Sequence, residues 1–361
     1  MPINKTDISY LNLAFEKARL NLGNTGDNPS VGCVITKNGA VISSASTEYK
    51  KGRPHAEFKA LMKKINFKNS TLYSTLEPCS HYGETPPCTN LIISKKIKKV
   101  IYPLLDYDKR VFGKTQKILK RKNIQVGIFK NYKKAKDFYQ SYYLKKIKCL
   151  PLLDARIAIS KDLFTIDKKN KNITNFQSRT LSQYFRTNYS HLLTTSKTLN
   201  KDNPIMNCRI LGLKDMSPDI IIIDRFFRIK KNLKIFNENR KRTFYLIITR
   251  NNQKKYKYFS KIKNLKIIKI SKLESKNDFE NLLKLFYHKG FNRIIVETGI
   301  TLINLLRKYK LINNMYVYQS NRSLSINGLN KINNLNLKNQ KKINIYLYGD
   351  KVFKLKLKNY V

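Results

Sequence analysis

The stretch Thr75-Leu76-Glu77-Pro78-Cys79-Ser80-His81-Tyr82-Gly83-Glu84-Thr85-Pro86-Pro87-Cys88 places two cysteines, with eight residues between them, in a loop rich in proline and glycine. It follows a strand-like run that begins at Thr71. Upstream, Pro54-His55-Ala56-Glu57 opens a helix that Pro54 introduces. One imidazole and two thiolates make a three-ligand set for zinc, and the fourth tetrahedral position stays open for water. That open position marks a catalytic ion rather than a structural one, because zinc lowers the pKa of bound water toward ~7. Glu57 lies two residues past His55, off its helical face, where it can handle protons. Taken singly, each residue has a plainer explanation. A histidine can simply order its surroundings, and a cysteine can pack as a small hydrophobe, the reading kept here for Cys33, Cys149 and Cys208. Only four histidines occur in the chain, and one falls in this constellation.

Working outward, apolar periodicity predicts helices over 7–22, 55–64, 90–96, 114–122 and 132–146, and strands over 31–36, 71–76, 100–102 and 124–128. Asn38-Gly39 reads as a hairpin turn. Cys149-Leu150-Pro151 marks a boundary, dividing the chain into 1–147 and 148–361. The pattern then restarts, with strands over 152–159, 191–195, 220–223, 244–249, 265–270 and 293–296 and a half-buried strand in the tail around Phe353, Leu355 and Leu357. Helices are expected over 177–187, 278–289 and 302–307. The Lys/Asn-rich stretches 251–264 and 330–342 read as loops. Strands and helices alternating at this spacing define an α/β class with a parallel or mixed sheet.

At 361 residues the chain is long enough for two domains. Its net charge of +50 invites a nucleic-acid reading. The excess is spread over both halves, however, so compositional drift explains it and no specific nucleic-acid partner is expected. A basic surface can still attract a phosphorylated substrate. No apolar run approaches the ~20 residues of a membrane span, and the N-terminus lacks the apolar core of a signal peptide. Five cysteines do not make a disulfide scaffold, which fits a reducing cytoplasm. Homo-oligomerisation is left open.

Histidine–x–glutamate followed by proline–cysteine is the zinc deaminase signature. With its long intercysteine loop, together with Asn28-Pro29-Ser30-Val31-Gly32-Cys33-Val34-Ile35, His55-Ala56-Glu57 and Thr75–Cys79, the chain resembles the bifunctional deaminase–reductase family of riboflavin biosynthesis. The resemblance extends over nearly the whole chain. It implies a cytidine-deaminase-like three-layer N-terminal domain and a dihydrofolate-reductase-like C-terminal domain. It also implies two reactions on a phosphorylated pyrimidine, zinc-dependent loss of an amino group and then NADPH reduction of ribosyl to ribityl. His55, Cys79 and Cys88 would hold Zn2+, Glu57 would carry protons, and Asn28 and His81 would meet substrate. Asp106 and Asp108 fall where the family has a substrate-proximal pair, although Tyr107 replaces its proline.

In the second half the resemblance assigns Asn170, Arg186, Arg209 and Glu297 to substrate, and Arg156, Asn172, Thr198, Asp202 and Gly299 to the cofactor. Arginine suits phosphate because its planar fork gives paired hydrogen bonds. Ser160-Lys161-Asp162-Leu163-Phe164-Thr165 departs from the family's run, since Leu163 and Phe164 replace a glycine and an arginine. Asn172 stands where the family has a tryptophan. Leucine does not turn as freely as glycine, so this loop is expected to change shape. Those departures motivate an alternative in which the second domain is a scaffold and only the deaminase works. A nucleic-acid base deaminase is a further alternative, against which the eight-residue loop speaks, and a non-enzymatic zinc-stabilised module is the reading from a different class.

Overall fold

The computed structural model describes residues 4–50, 52–83, 85–129, 132–237, 242–250, 253–332 and 335–358. The chain divides into two compact units between Cys149 and Leu150.

The first unit contains α1 (Lys5–Arg19), β1 (Gly32–Lys37), β2 (Ala40–Ser46), α2 (Ala56–Leu61), β3 (Thr71–Ser74), α3 (Cys88–Ser94), β4 (Lys99–Tyr102), α4 (Lys114–Lys120), β5 (Gln125–Ile128), α5 (Lys133–Phe138) and α6 (Gln140–Tyr143). Its five-stranded sheet has the order β2-β1-β3-β4-β5. β1 runs antiparallel to β2 and β3, while β3, β4 and β5 are parallel. Alternation along β1 sends Cys33 and Ile35 to one face, with Ala56, Ala60 and Ile92, and Val34 to the other, with Leu11 and Ala14. Helices therefore cover both faces of the sheet. Gly32 is dictated by that packing, since a Cβ there would lie 1.9 Å from the Ala14 carbonyl oxygen. The helix expected over 132–146 is broken. After α6 the chain widens into a π-turn over Leu144–Lys148 and ends at Cys149 in a left-handed conformation.

The second unit contains β6 (Leu152–Ile159), β7 (Phe164–Asp167), α7 (Phe176–Arg186), β8 (His191–Thr195), α8 (Ser196–Asp202), β9 (Asp219–Ile223), β10 (Phe244–Ile248), α9 (Gln253–Phe259), β11 (Leu265–Lys269), α10 (Lys276–His288), β12 (Arg293–Val296), α11 (Ile300–Lys308), β13 (Asn314–Gln319), β14 (Gly328–Lys331), β15 (Lys341–Lys342) and β16 (Lys351–Lys356). Nine strands form one sheet in the order β11-β10-β9-β8-β12-β6-β13-β16-β15. It is parallel from β11 to β13, and β16 and β15 add an antiparallel edge. Ile221 and Ile223 enter the core on one face of β9, and Ile220 and Ile222 the core on the other. A strand buried on both faces reads as a continuous apolar run, which is why this segment was legible.

Several expectations need correction. The stretch 251–264 is not all loop, because α9 occupies Gln253–Phe259 and buries Phe259. Within 330–342, β14 ends at Lys331 and β15 forms a short edge strand. The turn at Leu163 has not lost its glycine-like shape. Leu163 sits at φ +71°, and Ser160 N donates to the Phe164 carbonyl at 2.9 Å. The left-handed conformation costs leucine about 1–2 kcal/mol, which packing of the side chain against the core offsets. Phe164 lies across β14, where a Cβ on Gly328 would come within 2.3 Å of its ring.

Candidate active sites

In the first unit, His55 is the N-cap of α2 and Cys88 the first residue of α3, so two helix starts converge on one point. His55 Nδ1 lies 3.5 Å from Cys79 Sγ and 3.6 Å from Cys88 Sγ. Zn–S and Zn–N bonds at a tetrahedral angle require an N···S separation of about 3.6 Å, so the three ligand atoms fit zinc. Cys88 N donates to Cys79 Sγ at 3.2 Å. The Cys79 thiol is pulled well below its ordinary value, first by its hydrogen bond with Cys88 and then by His55, which favours the thiolate that binds metal.

Glu57 is buried beside this set. Its Oε1 accepts from Ser74 Oγ at 2.8 Å, and its Oε2 lies 3.8 Å from Cys88 Sγ. Burial pushes its pKa up, as a group that takes and returns protons requires. The surrounding cavity is lined by Asn28, Arg53, His81, Asp106, Asp108 and Tyr142, among others. Asn28 and His81, which the resemblance assigns to substrate, both line this cavity. His81 Nδ1 and Ser80 Oγ are buried with no hydrogen-bond partner among the described residues. Asp106 accepts from Tyr142 Oη at 2.8 Å and, through burial, is raised to about 6. Asp108 pairs with Arg110 at 2.7 Å and Lys146 at 2.9 Å.

Three contributors escaped the sequence reading. Glu77 is buried, and its carboxylate accepts from the backbone N–H groups of Asp106, Gly113 and Thr115 at 3.0–3.1 Å. It fixes the loop that carries Asp106, Asp108 and Arg110. Tyr142 and Lys146 reach the cavity from the helical segment that closes the unit. Their only sequence signal was an amphipathic basic helix.

In the second unit, Glu297 follows β12 and joins two arginines. Arg156 Nη1 donates to Oε2 at 2.8 Å, while Arg186 Nε and Nη2 donate to Oε1 and Oε2 at 2.9 and 2.8 Å. Burial would raise the Glu297 pKa, but the charges of Arg186 and Arg156 outweigh it and hold it at about 2. Arg186 Nη1 also donates to the Asn207 carbonyl, and Asn207 Oδ1 lies 3.5 Å from Arg209 Nη1. Arg156 Nε and Tyr318 Oη are buried without a partner among the described residues. Thr195, Thr198 and Thr298 form a triangle of hydroxyls 3.1 Å apart at the C-terminal ends of β8 and β12. Gly299 caps α11 in extended backbone, and a Cβ there would meet nothing within 4 Å. Neither conformation nor packing demands glycine there. Asn170 donates to Asp167, and the Asn172 carbonyl accepts from Arg322. No hydrogen bond among the described residues joins Asn170, Asn172 or Asp202 to the Glu297 cluster.

A metal-ready His–Cys–Cys set beside a buried glutamate, followed by a second α/β unit whose parallel strands end in hydroxyls and paired charges, defines a zinc deaminase joined to a nucleotide-dependent reductase. The family profile described as "Cytidine and deoxycytidylate deaminase zinc-binding region" matches residues 4–104, and that of the "RibD C-terminal domain" matches 153–322. The riboflavin biosynthesis protein RibD of Aquifex aeolicus is 30% identical over 300 residues, covering 82% of each chain. The Acinetobacter baumannii RibD structure (form 2) superposes with a TM-score of 0.77 at 27% identity, over 98% of this chain and 99% of that one. A Thermotoga maritima deaminase/reductase shares the fold, with a TM-score of 0.79 at 24% identity over 96% and 97%. The chain belongs to the RibD family of riboflavin biosynthesis. It is a bifunctional deaminase and reductase, with zinc and NADPH as cofactors.

Proposed function

We propose that the first unit deaminates 2,5-diamino-6-(5-phosphoribosylamino)pyrimidin-4-one to 5-amino-6-(5-phosphoribosylamino)uracil, and that the second reduces the ribosyl group of that product to ribityl. The observation that carries the first step is the fit of His55, Cys79 and Cys88 to one zinc ion next to Glu57. Zinc supplies a Lewis-acid centre that makes water a nucleophile at neutral pH. Glu57 takes the proton of the attacking water and returns protons to the ring nitrogen and to departing ammonia. Ser74 holds its carboxylate in place. Asn28, His81 and Asp106 orient the pyrimidine, with the cations at the cavity mouth favouring its phosphate.

For the second step, NADPH supplies the hydride. Arg186, Arg209, Asn170 and Glu297 bind the phosphoribosyl substrate. Arg156, Asn172, Thr198, Asp202 and Gly299 bind the cofactor. The retained left-handed turn at Leu163 supports a working reductase over a scaffold. Among the described residues no helix is long and apolar enough to cross a membrane. The five cysteines are free, in keeping with a cytoplasmic enzyme.

The test is a two-step assay of the purified chain on the phosphoribosyl pyrimidine, following ammonia release and NADPH oxidation separately. Both signals are expected, in that order. Ammonia release without NADPH oxidation would restore the scaffold reading, and an active, metal-free protein would overturn the deaminase mechanism.

A further inference from the structure

Two branches of chain that line the first unit's cavity leave one pair of strands. Ahead of β1 run Asn28, Pro29 and Val31, and beyond β3 run Leu76, Glu77 and Cys79. β1 and β3 are antiparallel with Cys33 opposite Ser74, so both branches start from the same end of the pair. One step further a side chain completes the ladder. Thr75 N donates to the Gly32 carbonyl at 3.0 Å, and Gly32 N donates to Thr75 Oγ1, also at 3.0 Å. Thr75 Oγ1 lies 2.6 Å from Tyr139 Oη, which in turn donates to the Ser30 carbonyl at 3.1 Å. A phenol has one proton. With that proton given to Ser30, the bond between the two hydroxyls is donated by Thr75. Ser30, Thr75 and Tyr139 are all buried, and every hydroxyl proton in this chain has an acceptor.

The phenol comes from far along the sequence. Tyr139 sits at the break between α5 and α6, with its ring against Phe15 and Phe138. Three residues on, Tyr142 bonds Asp106, and Lys145 pairs with Asp27, the neighbour of Asn28. Asn28 is therefore flanked by two residues that the closing segment of the unit holds. Asp27 is 83% exposed, and solvent leaves such an ion pair little strength. The buried phenol is the stronger tie, because without it a carbonyl and a hydroxyl lose their partners together. Ser30 Oγ donates to the Ala18 carbonyl at 2.7 Å and so fixes the branch to α1. Tyr139 sets its distance from β3, which is itself fixed between β1 and β4 in the sheet.

We propose that Tyr139 is a positioning residue for deamination: its hydroxyl joins Ser30 to Thr75 and holds Asn28 in place relative to the branch that carries Cys79. The inference rests on Asn28 meeting the pyrimidine, as proposed above. Loss of the hydroxyl weakens a contact made in the ground state and the transition state alike, which raises KM and spares kcat.

The test uses the full zinc-loaded chain and steady-state ammonia release from the phosphoribosyl pyrimidine. Tyr139→Phe keeps the ring and removes the hydroxyl. Its KM is expected to rise about three- to tenfold, with kcat within about twofold of wild type. Zinc content, and NADPH oxidation on the already deaminated substrate, should match wild type. Asn28→Ala should also raise KM, and adding Tyr139→Phe to it should raise KM little further, because the phenol acts through Asn28. Thr75→Ser, which keeps a hydroxyl, should raise KM less than Thr75→Val. A wild-type KM in Tyr139→Phe overturns the assignment and leaves the deaminase reading intact. A fall in kcat at unchanged KM overturns it too, as do additive effects in the double variant, the result of a purely structural role. Loss of zinc from Tyr139→Phe, with equal KM in the two Thr75 variants, places the phenol in folding and also overturns it. A wild-type protein that releases no ammonia overturns the deaminase reading and the assignment together.

Discussion

The carboxylate of Glu77 accepts the backbone N–H of Asp106 at 3.1 Å, so a residue two positions before Cys79 sets the place of an acid that lines the same cavity. Through Gly113 and Thr115 it holds both ends of the loop. Replacing Glu77 with Ala is expected to destabilise the protein by about 3 kcal/mol, because buried N–H groups lose their acceptor. KM for deamination should rise more than in E77Q, which retains one acceptor oxygen. Urea unfolding and steady-state ammonia release check this, and a KM equal to wild type in E77A would remove the positioning role.

Glu57→Gln keeps the size of the side chain and removes its proton-carrying capacity. The variant should fold and bind one zinc ion yet lose ammonia release by about 10²-fold or more. Metal analysis and an ammonia assay measure the two properties side by side. Near-normal turnover would show that another group moves the protons.

Zinc removal should separate the two activities. A chelator strong enough to strip the His55–Cys79–Cys88 site is expected to abolish ammonia release. NADPH oxidation on the already deaminated substrate should persist, because the second step uses none of those residues. Loss of both signals together would contradict that independence.

Asp106 gives a pH dependence of known sign. Burial raises its pKa to about 6 from an ordinary 3.8, so the unfolded chain ionises first as pH increases. Its contribution to stability should decline as pH rises from about 4 to about 6 and stay constant above, by up to ~3 kcal/mol. Asp106→Asn should be more stable than wild type above pH ~6 and a poorer deaminase. Urea unfolding at pH 4 and pH 7 checks the first half, and parallel stability curves for the two proteins would refute it.

Glu297 behaves in the opposite sense. Its pKa is depressed to about 2 from 4.5, so the stabilisation it provides is present above pH ~4.5 and is lost as pH falls toward ~2. Glu297→Gln leaves two largely buried guanidiniums without a counter-charge and should cost about 3–5 kcal/mol at pH 7. Denaturant midpoints at pH 7 and pH 3 test it, with a smaller difference expected at pH 3.

The zinc set was legible because rare residue types occurred at an informative spacing. One of four histidines stood near two cysteines in a proline-bounded loop. Long apolar runs such as Ile220–Ile223 announced central strands. β13 was missed because Asn314, Tyr316 and Tyr318 look polar, although the strand is buried between β6 and β16. α9 was missed because lysines outnumber apolar residues there, and its anchor is the single ring of Phe259. Tyr142 and Lys146 reach the cavity only after the chain has folded. Their partners, Asp106 and Asp108, lie far away in sequence, and the basic helix that carries them does not point to those partners. The change of shape expected at Leu163 did not occur because neighbouring hydrogen bonds hold the turn against the residue's own preference.

Tyr142 and Lys146 also bear on how the enzyme can be divided. A fragment cut just after Cys88 would keep the zinc ligands but lose Asp106, Asp108, Tyr142 and Lys146 from the cavity wall, together with two strands of the sheet. Protein engineers seeking a minimal catalyst from this scaffold should therefore keep everything through the π-turn and trim only beyond it.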